Sequence, residues 1–475
     1  MKPVALSRIA SWTHGRISGA DNRVGEQPGV DAPGFDMLID AVSTDTRTLD
    51  TRDGRATLFV ALKGERFDGH EHVAAALEAG ARAALVARAV VDVAIPQLVV
   101  ADTERALAAL AAAIQHGRDG KVVAITGSNG KTSVKALTLA ILERAGRAYA
   151  NPGNRNNEIG LPLAVIDAPE DAQFSIYEMG AGKPGDIAYL TAIARPDVAL
   201  VNNVAPAHLE RMGSLLGVAD TKAAIYDALP AGGVAVINAD DAFAPYFAER
   251  AHGRRLIRFG LEASADVTAR ELAVDAEGSR FVLATPQGEV PVMLALPGRH
   301  NVLNALAAAS IALGAGAPLQ AIGEGLAAAR AVAGRLVTHR LAGGALLIDD
   351  SYNANPGSLN AAIDTLAAAP GARWLVLGDM RELGADAQAL HAEAGRRAKA
   401  AGIARLFTLG TLSAAASDAF GAGAAHFDSH DALADAVRAA LGPEVRVLVK
   451  GSRGSAMDRV VRALLAADKG DTHAA

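Results

Sequence analysis

An α/β protein built from three successive blocks is predicted by the sequence, on three observations. The chain has 475 residues, more than one ordinary hydrophobic core uses, so two or three domains are expected. From about residue 101 onward, short apolar runs alternate with helical patterns, as in parallel sheets covered by helices. Polar clusters follow the ends of those runs, where open α/β sheets bind ligands.

Residues 1–100 form the first block, with short strands, turns and a helix near His72 to Ala79. Residues 101–333 form the second. There Val122 to Thr126 reads as a strand and Ser133 to Ala145 as the helix after it. Further strands are expected at Phe174 to Met179, Val198 to Val204 and Val234 to Asn238, and a helix at Ala219 to Leu229. Ala327 to Ala333 reads as helix and helix end. Gly334 opens the third block, residues 334–475. Its strands, Ala345 to Asp349, Trp374 to Leu377, Arg405 to Leu409 and Val445 to Val449, predict a second doubly wound domain. The polar tail from Asp468 to Ala475 reads as a frayed end.

Composition narrows the function. Apolar residues make up 51% of the chain but aromatics only 4%, which suits a helix-rich protein with sizeable cores. A net charge of −6 argues against a general basic surface, so neither nucleic acid nor membrane is expected as a partner. The absence of cysteine excludes a disulfide framework and a thiolate metal site, and fits the cytoplasm. Met1 to Gly19 lacks the apolar core of a signal peptide. The run Ala106 to Ile114 is too short to span a membrane, and Glu104 and Arg105 stand just before it.

The strongest motif is Gly127, Ser128, Asn129, Gly130, Lys131, Thr132 and Ser133. It follows a strand and opens a helix, the context of a phosphate-binding loop. Glycines let the backbone approach a polyphosphate, and helix-start N–H groups face it. Lys131 can reach terminal phosphates, and the Thr132 hydroxyl can bind Mg2+. The spacing departs from the longer pattern, because Ile125 stands where a first glycine would be.

Other residues have two readings each. Glu178, at a strand end, is a solvated terminus or a Mg2+ ligand. His208, after the next strand, is a plain loop histidine or a ligand. Lys222, within a helix, is a solvated cation or something more specific. The loop Asn151 to Asn157 either ties its own turns or offers side-chain amides to a substrate. Arg299, His300 and Asn301, expected just ahead of a long Ala/Leu helix, cap it or reach a ligand. Arg335 is a hinge charge or a phosphate contact.

Taken together these residues resemble the Mur ligase family, and the resemblance covers almost the whole chain. It rests on Ser43, Thr44, Asp45 and Arg47, the run Leu58 to His70, the phosphate loop, Gly153 to Asn157, Glu178 to Gly180 and the His208 segment. It continues through Leu296 to Asn304, Asp349 to Pro356, Leu377 to Met380 and Lys450 to Arg453. The resemblance implies three domains: an N-terminal domain for a UDP-sugar peptide, a central P-loop ATPase, and a Rossmann-like C-terminal domain that closes on ATP. It implies an ATP-dependent ligase of cell-wall precursors that uses Mg2+ and takes UDP-N-acetylmuramoyl-tripeptide and D-alanyl-D-alanine, acting as a cytoplasmic monomer. Glu178, His208 and Lys222, the last as a carbamate, would bind metal with Thr132. Asn301 would contact adenine, Arg335 phosphate and Asp350 ribose. Ser43, Thr44, Asp45, Arg47, Asn154, Asn157, Tyr352, Asn353, Asn355, Lys450 and Ser452 would contact the other substrates.

Two departures from the family pattern stand out. Gly180 to Lys183 reads Gly-Ala-Gly-Lys, where relatives often carry Gly-Ala-Asn-His, and Lys222 is followed by Ala223 and Ala224 rather than Gly-Glu. A folylpolyglutamate-type ligase of the same superfamily is the nearest alternative, against which the Asp349 to Pro356 run argues. A P-loop ATPase switch, or a non-catalytic nucleotide-binding scaffold, is the alternative from another class.

Overall fold

The computed structural model describes residues 1–18, 37–49, 54–206, 209–275 and 278–471. Near the N-terminus, five strands form one sheet in the order Arg16–Ser18, Gln97–Val99, Ala83–Val86, Thr57–Val60, Ala41–Ser43. The first pair is antiparallel and the rest are parallel. Thr57–Val60 and Ala83–Val86 are buried at every residue, as expected for central strands covered on both faces.

The middle of the chain forms a six-stranded, all-parallel sheet. Its order is Arg255–Phe259, Val234–Asn238, Val198–Val201, Lys121–Thr126, Phe174–Glu178, Ala148–Ala150. Side chains of Lys121–Thr126 alternate between faces. Val123 and Ile125 pack with the helices Lys131–Ala145, Arg299–Gly314 and Leu319–Ala328. Val122 and Ala124 join a core that runs through the helix Thr103–His116 into Leu58, Leu85 and Leu98 of the first sheet. Lys121–Thr126 lies between Val198–Val201 and Phe174–Glu178. The carboxyl ends of these three strands therefore open onto one crevice, the usual ligand position in such sheets.

Helix Leu319–Ala328 lies close against the phosphate-loop helix. A Cβ added at Gly325 would stand 2.4 Å from Ile141 Cα, a contact that only backbone movement relieves. Gly325→Ala is expected to cost about 1–3 kcal/mol through overpacking. A thermal melt unchanged from the parent would show that the two helices separate freely.

The third six-stranded sheet runs Val337–Arg340, Leu346–Asp350, Val445–Lys450, Ala372–Gly378, Arg405–Leu409, Ala424–Phe427. Its first strand is antiparallel and the others parallel.

The sequence reading differs from the structure in several places. A three-stranded antiparallel sheet, Thr268–Val274, Ser279–Thr285 and Gly288–Leu294, sits within the middle block, where a mostly parallel sheet was expected and these three strands were not named. The edge strands Val337–Arg340 and Ala424–Phe427 were also missed. Both are half-exposed and lack the continuous apolar run of a covered strand. The strand expected to reach Val204 ends at Val201, because Asn202 and Asn203 turn toward the phosphate loop. Arg299 to Asn301 do not precede their helix but form its first turn. The helix holding Lys222 starts earlier, at Leu215, behind a Ser214 cap. The last helix runs from Asp458 to Asp471, through the start of the tail read as frayed; residues 472–475 lie outside the described residues.

Candidate active site

The phosphate loop is held by asparagines from neighbouring strands and helices. Asn129 N donates to Asn203 Oδ1 (2.8 Å), and the Asn202 and Asn203 amides both donate to Asn129 O. Asn202 Nδ2 also reaches Asn304 Oδ1 at 3.2 Å. Gly130 has φ of 79°, a left-handed conformation that glycine adopts without strain. A Cβ there would stand 2.5 Å from both Asn202 Nδ2 and Asn304 Oδ1. Glycine is thus required twice at this position.

Lys131 opens the helix Lys131–Ala145, and its Nζ donates to Gly127 O at 2.7 Å. Burial pushes its pKa down; Glu178 pulls up and Arg335 down. Glu178 ends its strand and is 3% exposed. Its backbone is clamped by Asn151, whose Oδ1 accepts from Glu178 N (2.9 Å) and whose Nδ2 donates to Glu178 O (3.1 Å). Asn156 Nδ2 donates to Glu178 Oε1 at 2.9 Å. Lys135 Nζ forms a buried ion pair with Oε2 at 3.2 Å, and among the described residues that oxygen has no other polar partner. Burial raises the Glu178 pKa, but Lys135, Lys131 and Asn156 outweigh it and hold the carboxyl below its ordinary value.

Lys222 is 2% exposed. Burial, then the like charge of Lys131, push it down to about 7, so much of it is neutral at physiological pH. Among the described residues its ammonium has no hydrogen bond or ion pair. His208, the remaining expected ligand, lies outside the described residues.

From the C-terminal unit come Arg335, in the turn before the strand Val337–Arg340 and stacked 4.3 Å from the Tyr352 ring centre, and Asp350, paired with Lys450 at 2.5 Å. Lys450 also donates to Asn353 O (3.1 Å). Asn355 caps the helix Pro356–Ala367 and donates through Nδ2 to Asn129 Oδ1 of the phosphate loop at 2.7 Å. This bond joins the C-terminal unit to the phosphate loop.

Two clefts result. One, of about 240 Å³, is lined by Asn129, Ser133, His300, Asn301, Arg335, Asp350 and Lys450. The other, of about 360 Å³, is lined by Lys131, Asn157, Glu178, Arg335, Tyr352 and Asn353, and extends to Glu158 and Lys183. A small pocket with Ser128, Thr132 and Asn355 lies against the same loop, and Arg335 lines all three.

Some expected residues are placed elsewhere or already occupied. Asp45 forks onto Arg47 (2.7 Å) and caps the turn Thr46–Thr48, and the Arg47 hydrogen bonds hold its carboxyl down at about 2. Ser43 Oγ donates to Asp45 O. These residues and Thr44 line neither cleft. Asn154 lines neither cleft, while Asn157, which does line the second, uses Oδ1 to accept from Gly160 N. Ser452 donates to Ala354 O and accepts from Arg381 N, tying loops rather than facing a cleft.

The residues missed as individuals are Lys135, Asn156, Asn202, Asn203 and Asn304. Only Lys135 left a usable sign. It stands four residues after Lys131, on the same helical face.

A P-loop sheet and a doubly wound unit sharing one nucleotide-sized cleft describe a class of two-part nucleotide enzymes, and the comparisons specify it. Family models match residues 39–119 (Mur ligase family, catalytic domain), 125–312 (Mur ligase middle domain) and 334–453 (Mur ligase, glutamate ligase domain). The chain belongs to the Mur ligase family. It is 44% identical to the UDP-N-acetylmuramoyl-tripeptide–D-alanyl-D-alanine ligase of Escherichia coli K12, over 98% of this chain and 99% of that protein. Among solved structures, MurF from Acinetobacter baumannii superposes with a TM-score of 0.89 at 32% identity, covering 98% of this chain and 99% of that one. MurF ligase from Thermotoga maritima, in complex with ADP, gives 0.82 at 27% identity, covering 91% and 98%.

Proposed function

We infer that this chain is the ATP-dependent ligase that adds D-alanyl-D-alanine to UDP-N-acetylmuramoyl-tripeptide in peptidoglycan precursor synthesis. The observation carrying this reading is the convergence of Lys131, the buried Glu178 carboxylate and the C-terminal Arg335, Tyr352 and Asn353 on a single cleft.

A carboxylate is a poor electrophile, so the tripeptide carboxylate must first be activated. Its oxygen attacks the γ-phosphorus of ATP, forming an acyl phosphate and releasing ADP. The D-alanyl-D-alanine amine then attacks the acyl carbon, loses a proton, and phosphate leaves. Lys131 and Arg335 offset charge on the transferring phosphoryl group, and positioning across the cleft does much of the rest. The C-terminal unit, bonded to the loop through Asn355, keeps water from the acyl phosphate.

Adenosine occupies the cleft with Asn301 and Asp350, where His300 and Lys450 also lie. Tyr352 and Asn353 face the acceptor dipeptide, and the first domain, with Ser43, Thr44, Asp45 and Arg47, holds the UDP-sugar end. Asn154 and Asn157 extend that donor contact, and Asn355, Lys450 and Ser452 steady the acceptor side. We place the divisions between domains near residues 100 and 333.

The donor set suits Mg2+. Glu178 Oε2 is buried and meets only the Lys135 ammonium, 3.2 Å away, among the described residues, and Thr132 offers a hydroxyl at the loop. Among the described residues no cluster of three or more His, Cys, Asp or Glu side chains gathers. Mg2+ is commonly held by one or two carboxylates with phosphate and water. Glu178, Thr132, His208 and a carbamate on Lys222 would hold it. The ion would neutralise charge on the phosphate oxygens.

No helix among the described residues is long and apolar enough to cross a membrane. The reading also takes the protein to act in the cytoplasm as a monomer without nucleic-acid or membrane partners.

The test is phosphate release with ATP, donor and acceptor, each omitted in turn. A ligase needs all three. Release without acceptor at the full rate would instead indicate an ATPase. The Asn355–Asn129 bond makes a separate prediction. Asn129→Ala removes one neutral hydrogen bond worth about 1 kcal/mol, so ADP affinity should weaken roughly fivefold. Unchanged affinity by calorimetry would remove this bond from nucleotide binding.

A further inference from the structure

Lys135 is a buried cation that the phosphoryl-transfer chemistry leaves unused. It is 7% exposed and lines none of the three pockets at the phosphate loop, whereas Glu178 lines the second. Its Nζ donates to Asn151 O (2.9 Å) and Gly153 O (3.1 Å) and stands 3.2 Å from Glu178 Oε2. An ammonium has three donors and no acceptor, and these oxygens match that number.

The arrangement is fixed from both sides. Asn151 is bonded through its side chain to Glu178 N and Glu178 O. One residue therefore tethers the ammonium and clamps the backbone of the carboxylate that the ammonium faces. Asn156 holds the other carboxylate oxygen, Oε1, at 2.9 Å. The carboxylate cannot turn Oε2 away from Lys135 without giving up Asn156. Oε2 is thus the oxygen left for a metal ion, and Lys135 already holds it.

An ion bound there shares one carboxylate oxygen with a tethered ammonium. Two positive charges on one buried oxygen repel strongly, because little water screens them. The phosphates of a nucleotide bring negative charge that offsets this repulsion. An ion arriving alone brings none.

We propose that Lys135 is a positioning residue that stands in for the metal ion on Glu178 Oε2 and makes ion binding depend on the nucleotide. It neutralises the buried carboxylate before an ion arrives, keeps it in place at the cleft, and disfavours a divalent cation that comes without polyphosphate. The inference rests on the Mg2+ reading of Glu178 given above.

The experiment uses Mn2+ as the probe, with free ion counted by electron paramagnetic resonance, together with thermal melts. It compares the parent, Lys135→Met, Glu178→Gln and the double variant. Without nucleotide, Lys135→Met should bind Mn2+ about tenfold more tightly than the parent, because a like charge at close range has gone. With ADP present the difference should shrink. In the absence of metal, Lys135→Met should melt below the parent, because a buried carboxylate has lost its partner. Mn2+ should raise that melt far more than it raises the parent's. Glu178→Gln should lower the melt of the parent but raise that of Lys135→Met. A lysine that only ties loop carbonyls predicts the same loss from Glu178→Gln in both backgrounds and no gain in Mn2+ binding. Equal or weaker Mn2+ binding by Lys135→Met, or a Glu178→Gln effect of one sign in both backgrounds, would overturn the proposal. Where Lys135→Met gives no folded protein, the double variant decides: it should fold, and its failure would also overturn the proposal. Glu178→Gln that leaves the Mn2+ affinity of the ADP complex unchanged would instead overturn the metal reading of Glu178, and this inference with it.

Discussion

Lys131→Ala is expected to lower turnover by about 10²–10³, the effect of removing one charge aimed at a transferring group, roughly 3–4 kcal/mol. The structure sharpens this expectation. Lys131 sits at the first position of its helix, half-buried in the cleft, within the electrostatic reach of Glu178 and Arg335. Its pKa is pushed down by burial, so the site holds this cation at a cost that an arriving polyphosphate relieves. The fold should survive, because among the described residues the ammonium donates only to loop carbonyls, Gly127 O and Ser128 O. The loop itself is held by Asn202, Asn203 and Asn304. The measurements are steady-state phosphate release and a thermal melt. Turnover near that of the parent would remove the loop from the mechanism.

What the sequence made legible follows from locality. The phosphate loop was readable because strand, glycines, lysine and helix lie within a short stretch. The central strands were readable because burial on both faces forces continuous apolar runs, as in Val198–Val201. The strands Thr268–Val274 and Val337–Arg340 were not, because half-exposed strands carry mixed residues that also suit turns. Within the Asn151 to Asn157 loop, composition named the segment but not the residue. Asn156 reaches Glu178, while Asn157 caps its own turn. No local pattern separates these neighbours, since the difference depends on where a strand across the sheet ends. The Asn202–Asn304 bond spans 102 residues, and only the tertiary fold brings its partners together. The domain roles of Ser43, Asp45 and Arg47 rest on resemblance, because their visible bonds are local to one turn.

Lys222→Ala is expected to cost on the order of 10² or more in turnover, and short-chain carboxylates added to the assay should restore part of it. The reason lies in the charge around the lysine. A protonated Lys222, within the electrostatic reach of Lys131, would repel a magnesium ion held nearby. As a carbamate it becomes an anionic oxygen donor of the type Mg2+ prefers. The amine nitrogen attacks the carbon of CO2 and loses a proton, so the reaction needs the neutral amine. Burial favours that form, and in this structure burial, with Lys131 added, brings the pKa to about 7. The sign is the required one: the ammonium is disfavoured, and the reactive base is populated near neutrality. Among the described residues no carboxylate pairs with Lys222 to restore its charge, unlike Lys450, which has Asp350. The added carboxylate would enter the space left by the truncated side chain and supply the missing oxygens. Lys222→Arg should remain inactive even with added carboxylate, because it keeps a positive charge there and cannot carry CO2. Arginine turning over like the parent would make Lys222 a simple cation or a bystander, and the carbamate would have to be abandoned.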